Sequence, residues 1–320
     1  MKHNKSEKIL VAMFFIFALS GMMLPAKVKS ELFSYQNSEQ IYLPEGHDIV
    51  GELKTLMAKH EDTLLDLARS HGLGFIDIIA ANQGVDPWVP GEGTKILLPT
   101  AHIIPQNPRL GLIINLAEQR LYLHKPGSQN TITFPIGVGR DGWNTPLGNT
   151  KIIRKKENPI WFPPKSIREE NPDLPIAILP GPNNPLGSHA LYFDLPGYLI
   201  HGTNRPWGVG RRVSHGCIRM YPEDIKKLYA LIPIDTQVTI INQPIKVAIL
   251  GKQIYMEAHP DPEQADILEA EGKIIPLKAP LADIFFRIKE NAGKLSGHIN
   301  WGKVRETLAK RTGIPTRITD

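Results

Sequence analysis

The residues best equipped for covalent chemistry lie together in His201-Gly-Thr-Asn-Arg-Pro-Trp-Gly-Val-Gly-Arg-Arg-Val-Ser214-His215-Gly216-Cys217-Ile218-Arg219-Met220. This stretch holds the single cysteine of the 320-residue chain and two of its eleven histidines. A thiol at its ordinary pKa is mostly protonated near neutral pH, and the thiolate is the nucleophile, so covalent catalysis needs a neighbouring base or cation. Imidazole is the usual supplier. His201 closes the apolar run Tyr198-Leu199-Ile200, which reads as a strand able to hold it rigidly, while the glycine-rich segment after it bends back and delivers Cys217. Gly202, Gly208 and Gly210 let backbone approach a ligand closely. Gly216 does the same beside the thiol, where backbone N–H groups can form an oxyanion hole.

The same residues admit plainer readings. Cys217 can be a small buried hydrophobe and His215 a loop histidine satisfied by hydrogen bonds. A metal centre of His201, His215 and Cys217 lacks the further cysteine or nearby acid that would complete a zinc set, so neither metal nor cofactor is expected. Arg219 beside the thiol suits a substrate bearing carboxylates, or else makes a structural salt bridge. Trp161 packs on a substrate or walls the cleft; for Trp207 the wall is the reading preferred.

Around these residues the period of the sequence is that of strands. Leu110–Asn115, Arg120–His124, Thr131–Gly139, Asn149–Ile153, Ala190–Phe193, Tyr198–His201 and Gln237–Ile241 are short β-prone runs, and a Pro/Gly/Asn-rich excursion separates Asn158 from Gly187. One helix is expected among them, Pro222–Leu231, with proline at its first position and acids in its first turn. Beyond Pro244 a hairpin is expected around Gly251-Lys252, followed by amphipathic helices near Pro280–Asn291 and Asn300–Arg311. Before this region, Leu53–Thr100 reads as β-α-α-β: strands near Leu53–Ala58 and Lys95–Pro99 bracket helical patterns at Thr63–His71 and Gly74–Asn82.

The N-terminal end has the order of a secretory signal peptide in residues 1–30: three early lysines, an apolar run from Ile9 to Leu24, then small residues. The formal charge of the whole chain is +5, but residues 1–30 hold five lysines against one glutamate, so the rest carries +1. No basic stripe remains to favour nucleic acid. The roughly 290 residues left are enough for two or three domains, and a lone thiol in an oxidising compartment excludes an intrachain disulfide.

A histidine, a spacer of about a dozen residues (Gly202 to Val213), then Ser-His-Gly-Cys with a following arginine resembles the signature of the YkuD-type L,D-transpeptidases. The likeness extends to Ile114-Asn115 with Gln119-Arg120-Leu121, to Gly137-Val138-Gly139 with Thr145-Pro146-Leu147-Gly148, to Asn158–Pro164 and to Pro180–Gly187. Residues 53–100 similarly resemble a LysM module, although Gly91-Glu92-Gly93 departs from the usual turn. The implied organisation is a signal peptide (1–30), a small α+β LysM-like peptidoglycan-binding domain (40–100), a mainly β, sandwich-like catalytic domain (109–242), and an α+β C-terminal extension of unassigned role (243–320).

Carried over by position, the resemblance makes Cys217 the nucleophile, His201 the proton donor and acceptor, His215 a supporting residue of the motif, and Gly216 part of the oxyanion turn. Ser214, Arg219, Asn204 and Trp161 would line the substrate site, and Asn158–Gly187 would be a lid. The implied reaction, part of cell-wall peptidoglycan biosynthesis, is attack on the third residue of a tetrapeptide stem, release of D-alanine, and transfer of the acyl group to an amine. Peptidoglycan stems and glycan are the implied partners, with a lysine-bearing outer-membrane lipoprotein as one possible acceptor; the implied compartment is the periplasm, without a membrane span after cleavage, and carbapenems are the implied inhibitors. A hydrolase of the same fold and a noncatalytic wall-binding protein stay open as alternatives.

Overall fold

The computed structural model describes residues 39–41, 48–125, 127, 130–275 and 282–320; the expected signal segment lies outside them. Among the described residues no helix is long and apolar enough to cross a membrane.

In the N-terminal unit, β1 (Glu39–Ile41), β3 (Leu53–Met57) and β4 (Lys95–Leu98) form an antiparallel sheet in the order β1-β3-β4, while β2 (Ile49–Val50) pairs with β5 (His102–Ile103). Helix α1 (Leu64–Ser70) buries Leu64, Leu67 and Ala68, one stripe at helical spacing, and its N-terminus is capped by Thr63 Oγ1, which accepts from Asp66 N at 3.0 Å. Helix α2 (Phe75–Ala81) is buried from Phe75 to Ala80. Covered almost all round, it must have neighbours beyond its own unit.

The central domain contributes β6 (Gly111–Asn115), β7 (Arg120–His124), β8 (Thr131–Pro135), β9 (Val138–Gly139), β10 (Gly148–Glu157), β11 (His189–Phe193), β12 (Leu199–His201), β13 (Arg212–Ser214), β14 (Ile218–Arg219) and β15 (Gln237–Ile241). Eight of these run in the order β14-β12-β11-β10-β15-β6-β7-β8, and β13 pairs with β9 apart from them. The sheet turns on β10. Its first part, residues 148–151, pairs with β15, whereas from Ile152 onward it pairs with β11, with a register irregularity between Ile152 and Arg154. Ile152 is fully buried, and side chains from both arms, such as Leu112, Leu121, Leu191 and Ile200, share one core that Ile225 and Leu228 of an amphipathic helix complete. Two sheet arms enclosing one core is the sandwich-like, mainly β arrangement read from the sequence.

Helix α3 (Lys165–Glu170), inside the Pro/Gly/Asn-rich excursion, buries no side chain, so the hydrophobic period that would have announced it is missing. Helix α4 (Pro222–Leu231) matches the expectation residue for residue.

The C-terminal segment forms the hairpin β16 (Ile245–Leu250) and β17 (Gln253–Ala258), with β18 (Thr316–Arg317) beside β17, and packs α6 (Ala282–Ala292) and α7 (Trp301–Lys310) against it. An additional helix, α5 (Pro262–Glu271), was not anticipated. It opens on a capping box between Asp261 and Gln264 and ends on Gly272 in the left-handed region, φ 69°. Its Ala265 and Leu268 join the core of the N-terminal unit.

Fully buried ion pairs fasten the C-terminal hairpin to the central eight-stranded sheet. Lys246 Nζ contacts Glu118 and lies 2.9 Å from Glu257 Oε1, His259 Nε2 lies 2.7 Å from the same carboxylate, and Tyr122 donates to Glu118 at 2.9 Å. One oxygen each of Glu118 and Glu257 and a ring nitrogen of His102 lie within 4.8 Å of one another, a spacing a metal could use, but the Lys246 ammonium reaches both carboxylates. Desolvated charges of this kind stabilise only as a complete set.

The N-terminal unit is also fastened to the segment that joins His201 to Cys217. Val209 and Gly210 offer their carbonyls to the first amides of α2: Phe75 N donates to Val209 O at 3.3 Å and Ile76 N to Gly210 O at 3.1 Å. Gly74 and Gly210 touch so closely that a β-carbon on Gly74 would stand 2.6 Å from Gly210 Cα. Arg120, 1% exposed, pairs with Asp77 at 2.6 Å, and Tyr221 donates its hydroxyl to Leu73 O at 3.1 Å.

Candidate active site

Strand register brings the reactive residues together. β12 and β14 are parallel neighbours, with Ile200 opposite Ile218 and His201 opposite Arg219. Ile200 and Ile218 are both fully buried in the core. Side chains alternate faces along a strand, so Leu199, His201, Cys217 and Arg219 all turn the other way. All four line one cavity of about 310 Å³, walled also by Trp161, Phe162, His215 and Ser214.

His201 is 4% exposed, its Nδ1 donates to the Gly202 carbonyl at 2.5 Å, and the Pro185 carbonyl also holds the ring. Burial above all, with Arg219 adding repulsion, brings its pKa down to about 3. The Cys217 thiol is half-buried and donates to Gly197 O at 3.6 Å. Burial pushes its pKa up, against a backbone hydrogen bond from Leu199 and the nearby Arg219 charge, which pull it down. Thiol and imidazole are therefore both neutral at neutral pH, and no hydrogen bond is present between them.

The turn carrying the thiol is held from within. Ser214, 1% exposed, donates Oγ to Cys217 O at 2.6 Å and accepts from Gly216 N at 3.1 Å. Ser214 reaches the cavity wall, but its hydrogen bonds are spent inside the turn. Of the turn expected to serve an oxyanion, the Gly216 amide is already engaged by Ser214 Oγ. Gly216 has φ 94° and a β-carbon there would meet Tyr198 Cε1 at 2.9 Å, so glycine is required twice over. Thr145 Oγ1 donates to Gly216 O at 2.8 Å from behind.

His215 faces the excursion. Its Nε2 lies 3.0 Å from Glu170 Oε2 on α3 and 3.0 Å from Arg140, whose guanidinium pairs with Glu170 at 2.8 Å, and Trp143 stands edge-on 4.8 Å away. The ring thus moors α3 to the catalytic turn. Trp161 lines the cavity and pairs through its backbone with Ile178, so the excursion folds back on itself over the site.

Among the described residues Arg219 makes no salt bridge of the kind the sequence left open. The titratable groups acting on it are the Cys217 thiol and the Arg205 guanidinium, with no carboxylate among them, and its Nε is buried without a partner among the described residues. Asn204, expected at the substrate, does not line the cavity, because the chain turns away after Thr203 into a 3-10 turn at Pro206–Gly208. Trp207, in that turn, is 51% exposed and is no part of the cleft wall.

A profile of the L,D-transpeptidase catalytic domain (YkuD) matches residues 110–240. Across 245 residues the chain is 38% identical to the probable L,D-transpeptidase YcfS of Escherichia coli (strain K12), covering 73% of this chain and 74% of that protein. It is 34% identical to the probable L,D-transpeptidase ErfK/SrfK of Salmonella typhimurium over 287 residues, 86% of this chain and 89% of that one. The chain belongs to the L,D-transpeptidase family. Among solved structures it is similar to the catalytic domain of the Enterococcus faecium L,D-transpeptidase, at 20% identity and a TM-score of 0.34, over 43% of this chain and all of that one.

Two further residues wall this L,D-transpeptidase cavity, and only Phe162 lies in a segment that the sequence singled out. Arg154, in the run Ile152-Ile153-Arg154-Lys155-Lys156 that reads as a solvated strand edge, stacks 3.7 Å above the Tyr192 ring, and both border the cavity. Phe162, 64% exposed, overhangs it from the excursion. Only pairing of β10 with β11 brings Arg154 within reach, a contact no local pattern encodes.

Proposed function

We propose that Cys217 is the nucleophile of an exported L,D-transpeptidase that acylates itself on a peptidoglycan tetrapeptide stem and passes the acyl group to an amine. The observation that carries this is the β12/β14 register, which puts thiol, imidazole and guanidinium on one face of one cavity. His201 takes the thiol proton as sulfur attacks the carbonyl of the third stem residue. The same proton then goes to the departing D-alanine amine, and a thioester remains on Cys217. An incoming amine attacks that thioester, His201 removing its proton and returning one to the thiolate.

Because both groups start neutral, the pair is poised for proton transfer in the transition state, without a standing ion pair at rest. Arg219, free of carboxylate partners, and Arg154 at the rim give the cavity two cations for the carboxylates of a stem peptide. The Cys217 amide is the oxyanion donor nearest the reacting carbon. Residues 40–100 act as a LysM-like glycan-binding module, 109–242 as the catalytic domain and 243–320 as a brace, and the periplasm is the compartment. The signal-like order of residues 1–30 and relatives from Escherichia coli and Salmonella support that location.

The test is mass spectrometry of the purified protein with disaccharide-tetrapeptide, beside a Cys217→Ala control. A crosslinked product lacking one D-alanine and absent from the control is the expected result. A product of equal yield in the control would remove Cys217 from the chemistry.

A further inference from the structure

An irregularity in β10 aims Arg154 at the active site. Strict alternation from Ile152, whose side chain is fully buried in the core, would turn Ile153 outward and Arg154 back into the core. The register against β11 slips there: Ile152 lies opposite Phe193 but Arg154 lies opposite Tyr192, which leaves Ile153 as the extra residue. A bulge of this kind reverses the face of each residue that follows it. Lys155, opposite the core residue Leu191, accordingly turns inward, where its Nζ donates to Tyr229 O at 2.6 Å and to Ile232 O at 2.7 Å at the C-terminal end of α4. Arg154 turns to the other face, its guanidinium carbon 3.7 Å from the centre of the Tyr192 ring.

The bulge thereby sets a row across the sheet. Arg154 stands beside Tyr192, Tyr192 beside Leu199, and Leu199, which precedes Ile200, beside Cys217, which precedes the partner of Ile200. All four line the thiol's cavity. With strands about 4.8 Å apart, a guanidinium lying over Tyr192 stands about 10 Å from the Cys217 backbone. Among the described residues Arg154 makes no ion pair with a carboxylate, and contact with the phenol ring holds its planar fork in place for one.

A donor stem offers carboxylates at different distances from the carbonyl that the thiol attacks. That of the departing D-alanine lies within about 4 Å of the reacting carbon, which keeps it beside Cys217 and Arg219. One at the end of the third residue's side arm, or on the second residue, lies roughly 7–9 Å away, the span to Arg154. We infer that Arg154 is a specificity-determining residue that binds a donor carboxylate other than the one that leaves with D-alanine. It therefore selects stems in which that group is free over stems in which it is an amide or missing. This division of labour between Arg219 and Arg154 rests on the transpeptidase reading above.

The experiment uses the full mature chain and four tetrapeptide donors: one with diaminopimelate as third residue, its side-arm amide, one with lysine in that position, and one amidated on the second residue's free carboxyl. The readouts are kcat/KM for D-alanine release and thioester by intact mass, while alkylation of Cys217 by iodoacetamide reports on the cavity without any stem. In the wild-type protein, amidating the bound carboxylate should lower kcat/KM tenfold or more, mainly through KM, the range of a hydrogen bond to a charged group. The amide that costs this much identifies the carboxylate, and the lysine donor should lose as much if it is the side arm's. Arg154→Met should lower kcat/KM for the free donor by the same factor, leave the amidated donor within about twofold of its wild-type value, and alkylate normally. Lys156→Met, on the same face by register but outside the cavity, should change none of these. No discrimination in the wild-type protein, discrimination that survives Arg154→Met, or equal losses for free and amidated donors in that variant overturns the assignment of Arg154 alone. A wild-type protein that is alkylated at Cys217 yet forms no thioester with any donor overturns the transpeptidase reading and this inference with it.

Discussion

Replacing Gly210 by alanine tests whether the N-terminal unit holds the catalytic segment in place. Gly210 has φ 74°, and a β-carbon there would lie 2.1 Å from Phe75 N and 2.3 Å from Gly74 Cα, both backbone atoms that cannot rotate aside. Gly251, in the distant β16–β17 turn, has φ 61° and open space where its β-carbon would be. Both substitutions carry the left-handed penalty of about 1–2 kcal/mol, whereas only Gly210→Ala adds a forced displacement of about 1–3 kcal/mol, the scale of overpacking. Urea unfolding should therefore show a loss of about 2–5 kcal/mol for Gly210→Ala against about 1–2 kcal/mol for Gly251→Ala. Acylation of Cys217 by a carbapenem, read by stopped-flow fluorescence or mass, should slow about tenfold or more in folded Gly210→Ala and stay near wild type in Gly251→Ala, because small misplacements in a reacting pair are costly. Equal losses of stability, or unchanged acylation in Gly210→Ala, would refute the idea that α2 positions the segment between His201 and Cys217.

Carbapenem labelling should depend wholly on Cys217; an adduct of the same mass on Cys217→Ala would contradict this. His201→Asn should slow acylation by about 10²–10⁴-fold, the range for a lost acid–base group, whereas His215→Ala, which frees Glu170 and Arg140 at a partly exposed site, should slow it less than about tenfold. Equal losses in the two folded variants would unseat His201. Because burial raises the thiol pKa, the rate of Cys217 alkylation in the free enzyme should still be rising at pH 9, and a plateau between pH 5 and 7 would indicate a standing thiolate that the geometry does not support. His201 stays neutral down to about pH 3 when folded but takes a proton near 6.5 when unfolded, so stability should be full above pH 6.5 and fall as pH drops toward 3, by up to about 5 kcal/mol. In His201→Asn the Tm should fall less steeply across that window; an unchanged slope would show that the ring is not held neutral.

The catalytic strands and the Ser-His-Gly-Cys turn were legible because period-2 alternation is local and because Ile200 and Ile218 mark the buried face of their strands. The helix at Pro222–Leu231 carried its own start signals. What stayed hidden depends on distant partners. Arg120 reads as a surface strand residue yet is 1% exposed, paired with Asp77 forty-three positions earlier. Gly210, read as a place where backbone nears a ligand, instead meets the backbone of Gly74, which no local pattern brings to it. Helix α5 buries little besides Gln264, Ala265 and Leu268, too weak a stripe to stand out, although its Asp261/Gln264 capping box was there to be read. Asn204 was assigned to the substrate site because it lies inside the motif, and position within a motif says nothing about which way a turn goes.

The change of partner along β10 bears on how the domain comes apart. Residues 148–151 are laddered to β15 and residues 152–157 to β11, so neither arm of the sheet keeps an intact edge if the other lets go. Opening one arm strips hydrogen bonds from a strand whose far end still anchors the second, and it exposes Ile152 at the centre of the shared core. Intermediates with half a domain folded are therefore costly, and unfolding of the central domain becomes a single cooperative event. A fluorophore near Trp161 and amide exchange in β7 should then report the same midpoint, and the catalytic face of β12 and β14 exists only when the opposite arm does.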